Sequence, residues 1–136
     1  MATIKVFEDI EAWQRARMLS KEIFEISHEG SFSKDFSLRD QINRSSGSIM
    51  DNIAEGFERG GTKEFIQFLS IAKGSAGEVR SQIYRAFDRK HLAPGQYELL
   101  LEKITSVSKM ISRFIDYLQD SKLKGIKYQQ TRGTGG

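Results

Sequence analysis

Two residue pairs in this sequence have the spacing of metal ligands. Glu25-x-x-His28 and Asp88-x-x-His91 each set a carboxylate one helical turn from an imidazole. Di-metal carboxylate centres draw such pairs from the helices of a bundle. Their phase argues against that use. The apolar stripe of the first helical segment passes through Ile23 and Ile26, so Glu25 and His28 fall to its sides or its polar face. His91 lies at or beyond the end of its helix. No metal and no cofactor are therefore expected. The absence of cysteine excludes disulfides, thiolate nucleophiles and zinc–thiolate sites. No Gly-x-Ser-x-Gly elbow occurs. Gly60-Gly61-Thr62-Lys63 lacks the spacing and the preceding strand of a phosphate loop. His28 and His91 read as surface or capping residues. No catalytic residue is nominated, and the chain reads as a non-enzyme.

The chemistry that remains is electrostatic. Arg80, Arg85, Arg89 and Lys90 cluster with Tyr84. Basic residues beside an aromatic suit phosphate contact and base stacking. Glu78 and Asp88 dilute the field. The net charge of +3 is unevenly placed. Residues 121–136 carry Lys122, Lys124, Lys127 and Arg132 and no acid, whereas residues 1–120 hold 17 basic and 18 acidic side chains. A basic tail reads as an arm for a polyanion or as a solvated, disordered end.

These groups must be carried on helices. Four apolar stripes at three- and four-residue spacing predict helices over about residues 8–29, 38–59, 63–90 and 94–120. Ser37 and Thr62 are the expected N-caps of the second and third, and Pro94 opens the fourth. Gly30 and Gly60-Gly61 are the expected stops. No stretch alternates with period two, so no sheet is expected. The intervening loops are short, which forces neighbouring helices to be antiparallel. The expected fold is all-α: one antiparallel up-down four-helix bundle over residues 1–120, followed by the basic tail 121–136. The opening residues show no apolar signal region. No apolar run approaches the ~20 residues of a membrane span. A soluble, cytoplasmic chain is expected.

Two features point to self-association. The second helix carries a row of Ser46, Met50, Ala54 and Phe57 beside Ile42, Ile49 and Ile53, broader than one buried stripe. Small residues also cluster mid-helix, Ser45-Ser46-Gly47-Ser48 in the second and Gly74-Ser75-Ala76-Gly77 in the third. A helical glycine costs ~1 kcal/mol relative to alanine. A close approach of backbones, within the bundle or between subunits, would offset that. Gly47→Leu or Gly74→Leu is accordingly expected to break the bundle or its assembly. Glu55, Glu78, Arg44 and Lys73 flank the stripes, either as ion pairs between the second and third helices that fix register or as ordinary surface charge.

Three stretches resemble a known family. Phe7-x-Asp9-Ile10-x-x-Trp13-x-x-Ala16 lies in the first helix, and Gln41-Ile42-x-Arg44-Ser45-x-x-Ser48-Ile49-x-x-Asn52-Ile53-Ala54-Glu55-Gly56 fills the second. Phe65-x-x-Phe68-Leu69-x-x-Ala72-x-Gly74-Ser75-x-x-Glu78 opens the third. Over roughly residues 5–118 the chain resembles the four-helix-bundle proteins encoded in intervening sequences of 23S rRNA genes. The resemblance implies an up-down bundle, a ring that is typically a homopentamer, and the bacterial cytosol. A similar bundle is the accessory protein of diversity-generating retroelements, a basic pentamer working with a reverse transcriptase and nucleic acid. The near-neutral body of this chain departs from such a strongly basic ring.

The leading expectation is a non-enzymatic ring-forming protein that associates with nucleic acid, RNA before DNA. Its contacts would be Arg80, Tyr84, Arg85, Arg89, Lys90, Lys122, Lys124 and Lys127. The alternative is a scaffold docking a protein partner such as a reverse transcriptase. Packing and subunit contact are expected from Arg44, Ser45, Ser46, Gly47, Ile49, Met50, Asn52, Ile53, Glu55, Gly56, Phe57, Phe65, Phe68, Gly74, Ser75 and Glu78.

Overall fold

The computed structural model describes the backbone of residues 3–123 and the side chains of residues 3–121. Among these residues there are four α-helices and no strand: α1 (Glu11–Ser27), α2 (Phe36–Glu58), α3 (Thr62–Asp88) and α4 (Pro94–Leu123). None is long and apolar enough to cross a membrane.

The first helix starts at Glu11 rather than at about residue 8. The Asp9 carboxylate turns back to accept from the Lys5 and Val6 N–H groups, at 2.9 and 3.2 Å. Those two bonds lower its pKa. They close a 3-10 turn over Phe7–Asp9, and extended Ile10 separates that turn from α1. The 31–37 loop is also more ordered than a connector, because Gly30–Lys34 forms a 3-10 turn that buries Phe32. The cap of α2 is Asp35 rather than Ser37, its side chain accepting from the Leu38 N–H. The cap of α3 is Gly61, which makes Thr62 the first helical residue. Gly60, at φ +85°, makes the turn between α2 and α3. After α3 the left-handed position falls on Lys90 at φ +64°, and the His91 N–H then reaches back to the Ala86 carbonyl at 2.9 Å. This is a helix terminus usually given to glycine. Ahead of α4, the Gln96 side chain accepts from the Ala93 N–H, half of a capping box.

One core runs the length of the bundle and draws on all four helices. Leu19, Ile42, Leu69 and Ile104, one from each helix, are each at most 3% exposed. Phe57, Phe65 and Phe114 form an edge-to-face chain at 5.9 and 5.3 Å. Burying such rings adds about 0.5–1.5 kcal/mol per pair beyond the area term. Of the neighbouring helix pairs, α2 and α3 make the broadest contact and α1 and α4 the sparsest. Lys103 bridges that sparser side to Glu22 at 2.7 Å.

The α2/α3 contact has a visible register. Asp35 pairs with Arg89, Gln41 with Arg85, Ser45 with Gln82, and Ser48 with Ser75. The partners descend along α3 as they climb α2. At the far end Gly56 lies so close to α3 that an added Cβ would sit 2.6 Å from the Phe68 Cβ and 3.0 Å from a Phe65 ring carbon.

Candidate nucleic-acid interface

The basic cluster of α3 is not one surface. Arg80 and Tyr84 share one face, being four residues apart, and Arg85 and Arg89 share another. A one-residue offset turns ~100° around a helix. Arg85 and Arg89 face α2 and are engaged there. Arg85 donates to the Gln41 side-chain oxygen at 3.0 Å. Arg89 pairs with Asp35 at 2.9 Å. Lys90 is the left-handed residue that ends α3. Lys122, Lys124 and Lys127 lie outside the residues whose side chains are described.

Arg80 and Tyr84 instead line an open groove of about 410 Å³ between α3 and α4. Its α4 wall carries Leu101, Glu102, Thr105, Ser106, Lys109 and Arg113. Arg80, Lys109 and Arg113 are exposed. Among the described residues none of the three has a side-chain hydrogen bond or ion-pair partner. The tyrosine is 42% exposed. Its ring meets Tyr97 edge-on at 5.8 Å, and Tyr97 lies flat on Phe87 at 3.9 Å. Desolvation, reinforced by Tyr84, Asp88 and Glu98, raises the Tyr97 pKa, so its phenol is neutral at physiological pH. The result is a fixed aromatic step beside three free cations.

Sequence reasoning missed Lys109 and Arg113. They are one turn apart on the polar side of α4, a signal that looks like any solvated helix face. Only their position opposite Arg80 distinguishes them.

A second constellation was also missed. Asp35 Oδ2 lies 2.9 Å from both His91 Nε2 and an Arg89 guanidinium nitrogen. His91 Nδ1 lies 2.8 Å from the Ser31 hydroxyl. The hydrogen bonds from His91 and then Arg89 hold the Asp35 carboxyl at about 2, below its ordinary range. An ionised carboxylate only accepts, so His91 Nε2 donates to it, and in the neutral imidazole Nδ1 accepts from Ser31. The order serine–histidine–aspartate is that of a nucleophile relay. Here, however, the aspartate also caps α2 and holds Arg89, and the imidazole stacks on buried Phe32 at 5.2 Å. The group clasps the 3-10 turn, the start of α2 and the end of α3 together. His28 lies elsewhere, its Nδ1 on the Phe24 carbonyl. Among the described residues no group of three or more His, Asp or Glu could hold a metal ion.

The residues expected at packing or subunit contacts divide three ways. Ser45, Ser46, Ile49, Ile53, Gly56, Phe57, Phe65 and Ser75 are buried inside the chain, with Met50 and Phe68 partly so. Asn52 donates back to Ser48, and Ser48 bonds Ser75 across the seam at 2.9 Å. Gly47 and Gly74, by contrast, have no atom within 4 Å of where a Cβ would stand. An added Cβ there meets no other part of the chain, which corrects the bundle half of the expectation for Gly47→Leu and Gly74→Leu; the assembly half belongs to the proposed ring. Of the two readings of Glu55, Glu78, Arg44 and Lys73, ordinary surface charge is the one the structure shows. Glu55 pairs within its own helix to Arg59 at 2.8 Å, and Arg44, Lys73 and Glu78 are exposed. The register is set by Asp35, Gln41, Ser45 and Ser48 instead.

No curated protein matches the chain. A solved structure from Bacteroides thetaiotaomicron, described as a protein of unknown function from the S23 ribosomal protein family, shares the fold. It superposes with a TM-score of 0.70 at 23% identity, over 77% of this chain and 95% of that one. The family described as 23S rRNA-intervening sequence protein matches residues 8–113, which span α1 to most of α4 and include the α3/α4 groove. The chain belongs to the 23S rRNA-intervening sequence protein family.

Proposed function

We propose that this protein is a non-enzymatic, nucleic-acid-associated assembly subunit of the bacterial cytoplasm, directed to RNA. The observation that carries the reading is the set of three cations, Arg80, Lys109 and Arg113, unpartnered among the described residues and gathered on one surface of a near-neutral body. Free cations release counterions from a polyanion when they bind it, whereas cations already paired inside the protein gain little.

The same reading takes the chain as an antiparallel up-down bundle that closes into a homopentameric ring. The descending register of α2 on α3 supports the first part. An outer face with unfilled space at Gly47, Gly74 and Gly77 supports the second. So do exposed apolar side chains such as Ile71, Phe36 and Met18. A ring repeats the basic groove in every subunit and raises the local field.

The test is binding of the full-length protein to a structured RNA over a salt series, with a DNA duplex as competitor. The logarithm of affinity is expected to fall linearly with the logarithm of salt concentration and to persist near physiological strength. Absence of binding at low salt would sink the reading and turn attention to protein partners of the assembly.

A further inference from the structure

We infer that the α3/α4 groove is a binding site for single-stranded RNA, with Tyr84 as the base platform and Arg80, Lys109 and Arg113 on the phosphates. This rests on the RNA-directed reading above and specifies where, and in which form, the nucleic acid is held.

The case for a single strand comes from Tyr84. Its ring is exposed and held edge-on by Tyr97, which is itself stacked on Phe87. The platform is therefore in place before a ligand arrives. An aromatic face can stack only on a base that is not already stacked between neighbours, which favours single strands, loops and ends. Along α4, Lys109 and Arg113 are one turn apart, ~6 Å along the axis. With Arg80 across the groove they mark a line of positive charge beside the platform.

The case for RNA over DNA comes from Glu102. This exposed carboxylate lies in the same groove, next to Thr105 and Ser106. The adjacent cation, Lys103, is engaged with Glu22 on the α1 side and does not neutralise it. A carboxylate repels phosphate but accepts from a 2′-hydroxyl, which DNA lacks. The two hydroxyl side chains can donate or accept beside it. The groove thus holds cations for the backbone and an acceptor for the sugar.

Arg85 and Arg89 are excluded from the site, since both already bond to α2. This gives the proposal a direct control on the same helix. The experiment titrates the full-length protein with a labelled single-stranded RNA, the same sequence as DNA, and that RNA annealed to its complement. Variants are Arg80→Ala/Lys109→Ala/Arg113→Ala, Arg85→Gln/Arg89→Gln, Tyr84→Ala, Tyr84→Phe and Glu102→Gln. Arg44→Ala/Lys73→Ala, two exposed cations outside the groove, controls for general charge.

The single-stranded RNA is expected to bind best. The triple variant should lose most of that affinity and flatten the salt slope by about 2, at ~0.7 per phosphate contact. Tyr84→Ala should weaken binding about tenfold, with Tyr84→Phe restoring it, because stacking needs the ring and not the hydroxyl. Glu102→Gln should narrow the RNA-to-DNA preference. If the parent binds RNA but the triple variant binds equally well, or the Arg85/Arg89 or Arg44/Lys73 variant loses as much, the site is wrong while RNA association stands. A parent that prefers the duplex also overturns it. A parent that binds no nucleic acid removes both readings.

Discussion

One helix, α3, presents opposite chemistry to its two neighbours. Toward α2 it offers Arg89, Arg85, Gln82 and Ser75, and each finds a partner on or beside α2. Toward α4 it offers Arg80 and Tyr84, which face an open groove. The two sides carry similar residue types. They differ in engagement: Asp35, Gln41, Ser45 and Ser48 bond the α3 side chains on one side, whereas on the other the α4 wall sets Lys109 and Arg113 beside Glu102, Thr105 and Ser106 and none of them bonds Arg80. A cation bonded across a packed seam becomes part of the fold, whereas a cation lining an open groove without a bonded partner stays available to a ligand.

The largest expected effect tests how closed the α2/α3 seam is. Gly56→Leu forces a side chain against the Phe68 Cβ and the Phe65 ring, overpacking that should cost about 3 kcal/mol in thermal or urea unfolding. Gly74→Leu, on the facing helix α3, is the contrast on an outer face. It meets open space, so monomer stability should hold or rise slightly, while sedimentation should show a smaller oligomer if that face joins subunits. An unchanged assembly would remove the glycine face from the proposed ring.

A smaller effect comes from the clasp at the other end of the seam. The Asp35 pKa is about 2 in the folded chain against an ordinary value of about 3.9. A depressed pKa contributes stability that is present above about pH 4 and is lost as pH falls toward 2. Asp35→Asn should lower stability at pH 7 by on the order of 1 kcal/mol after solvent screening. It should also flatten the pH dependence of the urea midpoint between pH 4 and 2. A variant that keeps the parent's slope there would show that the clasp does not control that transition.

The smallest effect is at the end of α3. Lys90→Gly relieves a left-handed backbone that lysine adopts at a cost. It should raise the thermal midpoint by the equivalent of roughly 0.5–1 kcal/mol, partly offset by the greater freedom of glycine in the unfolded chain. Because Lys90 sits outside the α3/α4 groove, RNA affinity should change little.

The helices were legible because their apolar stripes repeat locally. Leu38, Ile42, Ile49 and Ile53 announce one buried face of α2 without reference to any other helix. Their ends were less legible. Asp9 and Asp35 compete with simpler caps by bonding to nearby backbone N–H groups, and the sequence offers Ser37 as readily as Asp35. The basic residues of α3 were found, but their division was not. Nor could the sequence tell that Gly56 packs against a neighbour while Gly47 and Gly74 open outward.

The amino-acid sequence by itself determined that this chain builds a cysteine-free bundle of four helices, because helical periodicity and composition are properties of neighbouring residues. Only the tertiary structure decided which charges are spent and which are free. That choice depends on the register and identity of the helix opposite, where Asp35 stands against Arg89 and Lys109 against Arg80. A one-residue shift around α3 moves an arginine from one partner to the other.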